Sequence, residues 1–316
     1  MLNIQDVIAQ INWEREPRGL YDPIAYTMES GGKRVRPQLA MIASQMFDGK
    51  DEQVVPAAVA LEVFHNFTLL HDDVMDNAEV RRGRPTVHMK WDANTAILSG
   101  DQMLIEAYKI LSDVPADKLP RVLQLFNKMA TEICEGQQYD VDFERQSQVS
   151  IEQYLLMIRL KTAVLLATAL QTGAYIAGAD LKQQEALYQF GINIGLAFQI
   201  QDDILDVYGD PLTFGKAVGG DIACNKKTYV MLTALQMADD VTREKLQSWL
   251  SCVLSDNTEK IQAVTGLYNQ IGVRAVCEAK VQAYTQAALE LLNQLPQNAA
   301  TDQLRKLADK LNTRKS

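Results

Sequence analysis

The sequence predicts an all-α fold, and three observations support that prediction. Apolar residues recur at steps of three and four along most of the 316 residues, as they do on the buried face of a helix. Alternating polar and apolar runs rich in β-branched residues, which would indicate strands, are nearly absent. Prolines stand where helices are expected to begin, at Pro37, Pro56 and Pro120, and none lies between Pro120 and Pro211.

The helical periodicity divides into separate segments along the chain. In order, these segments are 51–70, 121–135, 151–171, 181–207, 229–250 and 260–293. No Ser/Gly-rich linker and no short-period repeat separates them, so we expect a single domain over residues 1–316.

One uncharged run, 162–179, approaches the length of a membrane span. It contains three threonines, one glutamine and two glycines, and no positive cluster flanks it. These features favour a helix buried on nearly all sides in a large helical core over a transmembrane segment.

Charge and cysteine content narrow the possible functions. The formal net charge of −9 argues against a general nucleic-acid surface and against a polybasic membrane anchor. The four cysteines include no CxxC pair, which fits reduced thiols better than a disulfide or zinc framework. The N-terminal run MLNIQDVIAQINWERE is amphipathic and acidic, unlike a signal peptide. We therefore expect a cytoplasmic location.

The pattern DDxxD occurs twice and is the main functional signal. The first copy comprises Asp72, Asp73 and Asp76, and the second comprises Asp202, Asp203 and Asp206. Each copy closes an apolar helix, and helical positions i, i+1 and i+4 bring three carboxylates together at that end. Such carboxylates repel one another unless a cation lies among them. Magnesium is favoured because it prefers oxygen and binds one or two carboxylates together with substrate phosphates. A single DDxxD is more often a solvated helix face.

Basic residues accompany both motifs. Lys33 and Arg36 lie at a predicted helix start in GGKRVRP, where backbone N–H groups and cationic side chains suit a phosphate. Arg81 and Arg82 follow the first motif, and a guanidinium can bind phosphate oxygens bidentately. Each of these residues alone is more often a surface cation, but the combination with two acidic motifs predicts a site for diphosphates.

Further candidates are isolated lysines and one histidine. Lys161, Lys216 and Lys226 stand among apolar or small residues. All three histidines lie near the first motif, but none forms an HxH or HxxxH pair of the spacing that zinc needs. His65 lies two helical turns before Asp72 on the same face, where it can donate a hydrogen bond to a phosphate.

Several of these motifs together resemble the trans-isoprenyl diphosphate synthases of the polyprenyl synthetase family. They occur in the family's order and with its separations: GGKRVRP at 31–37, LLHDDVMDNAEVRRGRPTVH at 69–88, GQQYD at 136–140, KTA at 161–163, FQIQDDILD at 198–206, GK at 215–216 and KKT at 226–228. The resemblance implies a helical bundle around a deep cavity in which the two aspartate motifs face each other.

The resemblance also implies a reaction and its ligands. The chain would condense isopentenyl diphosphate with dimethylallyl, geranyl or farnesyl diphosphate, with about three Mg²⁺ ions holding the allylic diphosphate. The metal ligands implied are Asp72, Asp76 and Asp202, with Asp73, Asp203 and Asp206 binding directly or through water. The resemblance implies that four basic residues bind the allylic diphosphate: Arg81, Lys161, Lys216 and Lys226. It places Thr162 and Gln199 beside the allylic cation. Isopentenyl diphosphate would be bound by Lys33, Arg36, His65, Arg82 and Arg314.

Residues upstream of the first motif set product length in this family. By the resemblance, Phe67 and Thr68 line the cavity for the growing chain, and Phe64 lies one turn below Phe67. A bulky Phe67 with Thr68 beside it favours geranylgeranyl diphosphate (C20), with farnesyl diphosphate (C15) as the alternative. Packing in the protein core also explains both phenylalanines.

Other proteins with this fold fit less well. A terpene cyclase or head-to-head synthase has no need of GGKRVRP, and a cyclase carries an Asn/Ser/Glu motif where this chain has a complete DDILD. A noncatalytic subunit of a heteromeric synthase usually lacks one aspartate motif, and both are intact here. The family is usually homodimeric, and segment 121–135 is a candidate interface. Because the chain reads Asn225-Lys226-Lys227-Thr228, either lysine is a candidate for reaching the diphosphate.

Overall fold

The computed structural model describes residues 3–209, 218–252, 254 and 256–312. Within these ranges the chain is almost entirely helical, and its strands form one short two-stranded hairpin, so the all-α prediction is confirmed. Two of the predicted site residues, Lys216 and Arg314, lie outside the described residues.

The chain divides into two compact units. Unit 1 contains Met1–Asn127 and Thr168–Glu185, and unit 2 contains Lys128–Ala167 and Ala186–Ser316. The prediction of a single domain over the whole chain stays a prediction.

The elements in the first part of the chain are mostly helices. They are α1 (Ile4–Ala9), α2 (Arg18–Glu29), α3 (Val35–Gln45), α4 (Asp51–Met75), β1 (Val80–Arg81), β2 (Arg84–Pro85), α5 (Val87–Lys90), α6 (Ala93–Leu111) and α7 (Leu119–Arg145). The later elements are α8 (Ile151–Ile158), a π-helical turn (Arg159–Ala163), α9 (Val164–Ile176), α10 (Leu181–Tyr208), α11 (Gly220–Ala223), α12 (Tyr229–Met237), α13 (Asp240–Ser251), α14 (Thr258–Ile271), α15 (Val273–Leu292) and α16 (Ala299–Asn312).

In unit 1, α4 is the central helix and packs against α3 and α6. Its middle, from Ala57 to Asn66, is buried without interruption. Contact with α6 is close because Gly100 has no side chain: a Cβ there would lie 2.2 Å from Nε2 of His71. At the start of α6, the Asp92 side chain caps the helix by accepting a hydrogen bond from the Thr95 N–H (2.8 Å). This packing fixes the C-terminal end of α4, where the first aspartate motif lies.

The β1–β2 hairpin follows α4 directly. Arg81 pairs with Arg84, and Arg82 and Gly83 form the turn with φ values of 53° and 74°. Positive φ at both turn positions matches the twist of a two-residue hairpin, and glycine adopts it without steric cost. The hairpin is attached to α2 by a hydrogen bond from the Tyr26 hydroxyl to the Pro85 carbonyl (2.8 Å). The backbone positions of Arg81 and Arg82 are therefore fixed by the hairpin and its attachment to α2.

In unit 2, α7 and α10 pack very closely against the π-helical turn. A Cβ at Gly136 of α7 would lie 2.3 Å from the Lys161 N atom, and one at Gly195 of α10 would lie 2.5 Å from the Ala163 Cα. Glycine at both positions thus permits contact with the backbone of the turn. The preceding helix α8 begins with a capping box formed by Ser150 and Gln153. A π-helical turn inside a longer helix often marks a functional site, and this one carries Lys161 and Thr162.

Two of the predicted helical segments are interrupted. Segment 229–250 breaks at Ala238, whose ψ of 138° is extended. Segment 260–293 breaks at Gly272, whose φ of 78° ends one helix and begins the next. Periodicity alone did not predict either break, because the apolar spacing continues across each.

Two helical stretches, Asp51–Met75 and Ile151–Ile176, are long and apolar enough to cross a membrane by length and composition. Their most apolar windows are 61% and 72% buried within the protein. The second stretch includes most of the uncharged run 162–179, and its burial matches the expected core helix.

Candidate active site

The first aspartate motif lies at the C-terminal end of α4 in unit 1. Asp73 is buried and accepts a hydrogen bond from Arg81 Nε at its Oδ1 (2.6 Å), while Asp72 is half-buried and lies 3.5 Å from Arg81 Nη2. Asp76 is the exposed residue that ends the helix. Burial raises the pKa of Asp73, and the charge and hydrogen bond of Arg81 oppose that rise. Arg81 thus already compensates part of the charge on this motif.

Three of the predicted phosphate-binding residues come together in the same unit. His65 is buried, and its pKa lies well below the usual value because of burial first and then the positive charges of Arg36, Arg82, Arg81 and Arg34. The histidine is therefore neutral beside a cluster of cations. Burial lowers the pKa of Arg36 to about 10, and its Nε is buried with no hydrogen-bond partner among the described residues. An unpaired buried donor is costly, so this group suits an anionic ligand.

The position of Arg82 depends on the glycine turn before α3. Arg82 Nη1 donates to the Gly31 carbonyl and lies 3.3 Å from the Ser30 hydroxyl oxygen. Gly32 has a φ of 124°, which favours glycine, and a Cβ there would lie 2.9 Å from the Arg82 guanidinium and displace it. Lys33 is exposed, and its carbonyl accepts a hydrogen bond from Gln38.

Three other polar residues of unit 1 were not predicted from the sequence. Arg34 Nη1 donates to Glu62 Oε1 at 2.7 Å, and this pair is nearly fully buried, with 8% and 2% of the side chains exposed. Asn66 also donates to Glu62 Oε1 (3.0 Å). A charged residue inside the apolar run AAVALEVFHNF was the available signal, because a buried carboxylate requires a partner.

The second aspartate motif lies at the end of α10 in unit 2, and Asp203 is its buried member. Its Oδ2 accepts hydrogen bonds from the Tyr154 hydroxyl (2.6 Å) and the Tyr229 N–H (2.9 Å), and Gln199 Nε2 lies 3.4 Å from its Oδ1. Burial raises the pKa of Asp203 to about 7, although the hydrogen bonds from Tyr154 and Tyr229 lower it. Asp203 thus joins α8, α10 and the start of α12.

The outer aspartates of this motif, Asp202 and Asp206, are half-buried. Asp206 Oδ2 accepts the N–H of Asp221 (2.9 Å), and its carbonyl accepts the N–H of Gly219 (2.6 Å). Asp221 was not predicted from sequence. It adds a carboxylate whose negative charge contributes to the raised pKa of Asp203.

The lysines of unit 2 lie in different surroundings. Lys161 Nζ forms a salt bridge with Asp140 Oδ2 (2.6 Å) from α7, and Thr162 follows it on the π-helical turn. Lys226 is exposed, and its N–H donates to the Asp221 carbonyl (2.9 Å). Lys227 is half-buried, its pKa is lowered by burial, and it lines a cavity of about 370 Å³ with residues 147–152 and parts of α12 and α13. The two candidate lysines therefore have distinct environments.

The donor chemistry of both motifs fits magnesium. All six predicted ligands are carboxylates, and the outer ones are the more exposed. In the described part of the chain, no three His, Cys, Asp or Glu side chains converge as a ready metal cage. Magnesium does not require such a cage, since it is ordinarily held by one or two carboxylates, water and substrate phosphates.

Two of the residues predicted to set product length, Phe64 and Phe67, form an aromatic cluster with Phe126 in unit 1. Phe64 is buried and contacts Phe67 and Phe126 with ring centroids 5.4 and 5.2 Å apart. Phe67 is half-buried and also contacts His71. The hydroxyl of Thr68 donates to the His65 carbonyl (2.8 Å). Phe67 thus rests on a rigid aromatic base.

Comparison with known proteins identifies the relatives of this chain. The polyprenyl synthetase family matches residues 17–271. A geranylgeranyl diphosphate synthase of Methanosarcina mazei is 41% identical over 222 residues, which is 70% of this chain and 68% of the relative. A crystal structure of a geranylgeranyl pyrophosphate synthase superposes with a TM-score of 0.92 at 43% identity, covering 100% of both chains.

A further solved structure contains ligands. It is a polyprenyl synthase from Caulobacter crescentus complexed with calcium and isoprenyl diphosphate. It has a TM-score of 0.87 and 27% identity, with 99% of this chain and 93% of that chain covered.

Proposed function

This chain belongs to the polyprenyl synthetase family, and we propose that it is a short-chain prenyl diphosphate synthase whose main product is geranylgeranyl diphosphate. It is a prenyltransferase that joins isopentenyl diphosphate to an allylic diphosphate and releases diphosphate. The observation that carries the proposal is the family match over residues 17–271, a range that includes both aspartate motifs and the basic residues around them.

The first chemical requirement is departure of the allylic diphosphate. Cleavage of the C–O bond leaves an allylic cation and adds negative charge to the leaving group. Magnesium, when bound, would supply positive charge that stabilises this leaving group. The proposed direct ligands are Asp72, Asp76 and Asp202. Asp73 and Asp203 are proposed to act through water, and Asp206 directly or through water. Arg81 and Lys161 are proposed to add charge-assisted hydrogen bonds to the same diphosphate, as are Lys216 and Lys226.

Arg81 and Lys161 both have carboxylate partners in the structure. Arg81 is held by Asp73, and Lys161 by Asp140. These ion pairs orient both cations before a substrate arrives, which lowers the entropic cost of holding the diphosphate. Thr162 and Gln199 are proposed to direct side-chain oxygen dipoles at the allylic cation.

The second substrate, isopentenyl diphosphate, is proposed to bind without metal. The buried guanidinium of Arg36 and the neutral ring of His65 favour this role, because both can donate hydrogen bonds to phosphate oxygens. Arg82 and the exposed Lys33 are proposed to add charge from the glycine turn and the hairpin. Arg314 completes the proposed set.

Product length is proposed to depend on the aromatic cluster of Phe64, Phe67 and Phe126. Phe67 rests on Phe64, which is itself supported by Phe126, so the phenyl ring cannot move aside without disturbing the core. A chain that grows toward Phe67 would stop there. We propose C20 as the length reached, and C15 is the alternative.

One assay tests this function. Pure protein is incubated with labelled isopentenyl diphosphate, farnesyl diphosphate and Mg²⁺, and the extracted products are dephosphorylated and separated by chain length. The expected product is C20, and Phe67→Ala is expected to shift it to longer chains. Phe47→Ala is the matched control, since Phe47 is another half-buried phenylalanine of unit 1 that lies outside α4.

Other outcomes would change the proposal in different ways. Product C15 from geranyl diphosphate, with farnesyl diphosphate inert, would keep the reaction and replace the product. No incorporation with any allylic diphosphate would favour a noncatalytic subunit of a heteromeric synthase. The homodimer and the cytoplasmic location remain part of the proposal and are tested separately, the first by sedimentation.

A further inference from the structure

Glu62 is a buried carboxylate for which the proposed reaction has no use. It lies on α4 one turn before His65 and Asn66, and only 2% of its side chain is exposed. A carboxylate is almost never buried to this extent without a specific electrostatic reason, because removing it from water is costly.

The surroundings of Glu62 are strongly positive. Its Oε1 accepts hydrogen bonds from Arg34 (2.7 Å) and Asn66 (3.0 Å). Its negative charge also raises the pKa of Arg36 and of Arg82, two residues proposed to bind isopentenyl diphosphate. One carboxylate therefore acts on three guanidinium groups at once.

Among the described residues, no other carboxylate is close to this cluster of Arg34, Arg36 and Arg82 and also available to balance its charge. Asp73 also acts on Arg82, but it is already hydrogen-bonded to Arg81. Glu62 has remaining capacity, since its Oε2 is buried with no hydrogen-bond partner among the described residues. The Nε of Arg36 is likewise buried with no hydrogen-bond partner among the described residues. The cluster is thus incompletely compensated by the protein alone.

We infer that Glu62 is the charge-balancing residue of the metal-free diphosphate site: it offsets the repulsion among Arg34, Arg36 and Arg82 until a substrate diphosphate does so. Like charges held together in a protein interior destabilise it, and a counter-ion reduces that cost. A bound diphosphate then adds negative charge to the same cluster. Glu62 consequently stabilises the ligand-free protein and limits how tightly the diphosphate binds. This inference rests on the proposed function, because it takes the cluster to be a diphosphate site.

Glu62 also positions the glycine turn. Arg34 adopts a left-handed backbone conformation (φ 46°) and donates both to Glu62 and to the Met28 carbonyl at the end of α2. The turn that carries Lys33 is therefore attached to α4 through this ion pair. Glu62→Gln keeps an acceptor oxygen for Arg34 while it removes the negative charge, so it tests the charge with the Arg34 contact retained.

The test is a thermal unfolding experiment with inorganic pyrophosphate in excess EDTA, which excludes metal-dependent binding. We expect Glu62→Gln to lower the Tm of the ligand-free protein. We also expect pyrophosphate to raise the Tm more in this variant than in the wild type, which corresponds to binding that is roughly tenfold tighter.

A matched control is available in the same unit. Glu106 is a second buried carboxylate, and its Oε1 accepts hydrogen bonds from Arg15 (2.9 Å) and Lys109 (2.8 Å). Glu106→Gln is expected to lower the Tm as well, but to leave the pyrophosphate-induced rise equal to that of the wild type. A purely structural role for Glu62 would give the same result for both variants.

The contradicting results are distinct. A pyrophosphate-induced rise in Glu62→Gln no larger than that in the wild type would overturn the role of Glu62 while leaving the proposed function intact. No rise in the wild type itself would contradict the metal-free diphosphate site, and the inference with it. If Glu62→Gln does not fold, Glu62→Asp is tested instead, because it keeps the negative charge. A pyrophosphate-induced rise in Tm equal to that of the wild type would support charge balance, and a larger rise would contradict it.

Discussion

The two aspartate motifs have the same sequence pattern, but their middle residues lie in different environments. Asp73 and Asp203 are both buried, with 6% and 4% of their surface exposed. Asp73 is paired with the cation Arg81, whereas Asp203 accepts hydrogen bonds from three uncharged donors, the Tyr154 hydroxyl, the Tyr229 N–H and, more weakly, the Gln199 amide. In both motifs the outer aspartates are more exposed than the middle one.

We propose that the residues within each copy of the motif have different tasks. The middle carboxylate of each copy is occupied by the protein, so it holds neighbouring elements in place. The outer carboxylates are more exposed, and we propose them as the metal ligands. In the first copy the middle residue fixes a cation of the hairpin, and in the second it fixes the start of α12.

The largest expected effect is on the outer aspartates. Asp72→Asn and Asp202→Asn should each lower kcat by about a thousandfold or more, because each removes a carboxylate that is proposed to bind the metal at the developing leaving-group charge. Steady-state assays at saturating Mg²⁺ measure this, and EDTA should abolish wild-type activity. Asp240→Asn is the control, since that side chain is 95% exposed and belongs to neither motif. Near-normal kcat in Asp72→Asn would remove the first motif from catalysis.

The next expected effect is on stability, and it differs between the substitutions of Asp203 by alanine and by asparagine. Asp203→Ala should lower the free energy of unfolding by about 2–4 kcal/mol, because it leaves the Tyr154 hydroxyl and the Tyr229 N–H buried without an acceptor. Asp203→Asn keeps an acceptor oxygen and should cost about 1 kcal/mol. Urea denaturation measures both values. Equal losses would show that the negative charge, and not the acceptor, is what α12 requires.

The hydrogen bond from Tyr154 gives the next effect. Tyr154→Phe should lower the free energy of unfolding by about 1–1.5 kcal/mol, since it removes one buried hydrogen bond to a carboxylate. Tyr108→Phe is the control: its hydroxyl bonds Asn127 (2.7 Å), but the residue is 36% exposed, so about 0.5 kcal/mol or less is expected. A loss in Tyr154→Phe as small as that of the control would contradict the role assigned to Asp203.

The smallest effect concerns pH and His65. Its pKa lies well below the ordinary value of 6.5 in the folded protein, mainly through burial, so below that pH the unfolded chain binds more protons. Stability from neutral His65 is therefore present above pH 6.5 and is lost as the pH falls below it. His65→Gln should reduce the fall in unfolding free energy between pH 7 and 5.5 by about 1 kcal/mol. An equal fall in His65→Gln and in the wild type would contradict this role of the buried histidine.

The sequence predicted the helical class and the ends of α4 and α10, because strong apolar periodicity stops at each DDxxD. It also predicted that Arg36, His65 and Arg82 belong together. It did not reveal Tyr154, Asp140 or Asp221, since their roles depend on contacts between residues far apart in the chain. The break at Gly272 carried a local signal, a glycine at a helix end, whereas the break at Ala238 carried none.

The most direct test of the divided motif is a crystal structure with Mn²⁺ and a nonreactive allylic diphosphate analogue, in which anomalous scattering locates the metal. We predict Mn²⁺ peaks with direct bonds to Asp72, Asp76 and Asp202, while Asp73 keeps its bond to Arg81 and Asp203 keeps its bond to Tyr154. Peaks bonded directly to Asp73 or Asp203, or metal at only one of the two motifs, would contradict the account.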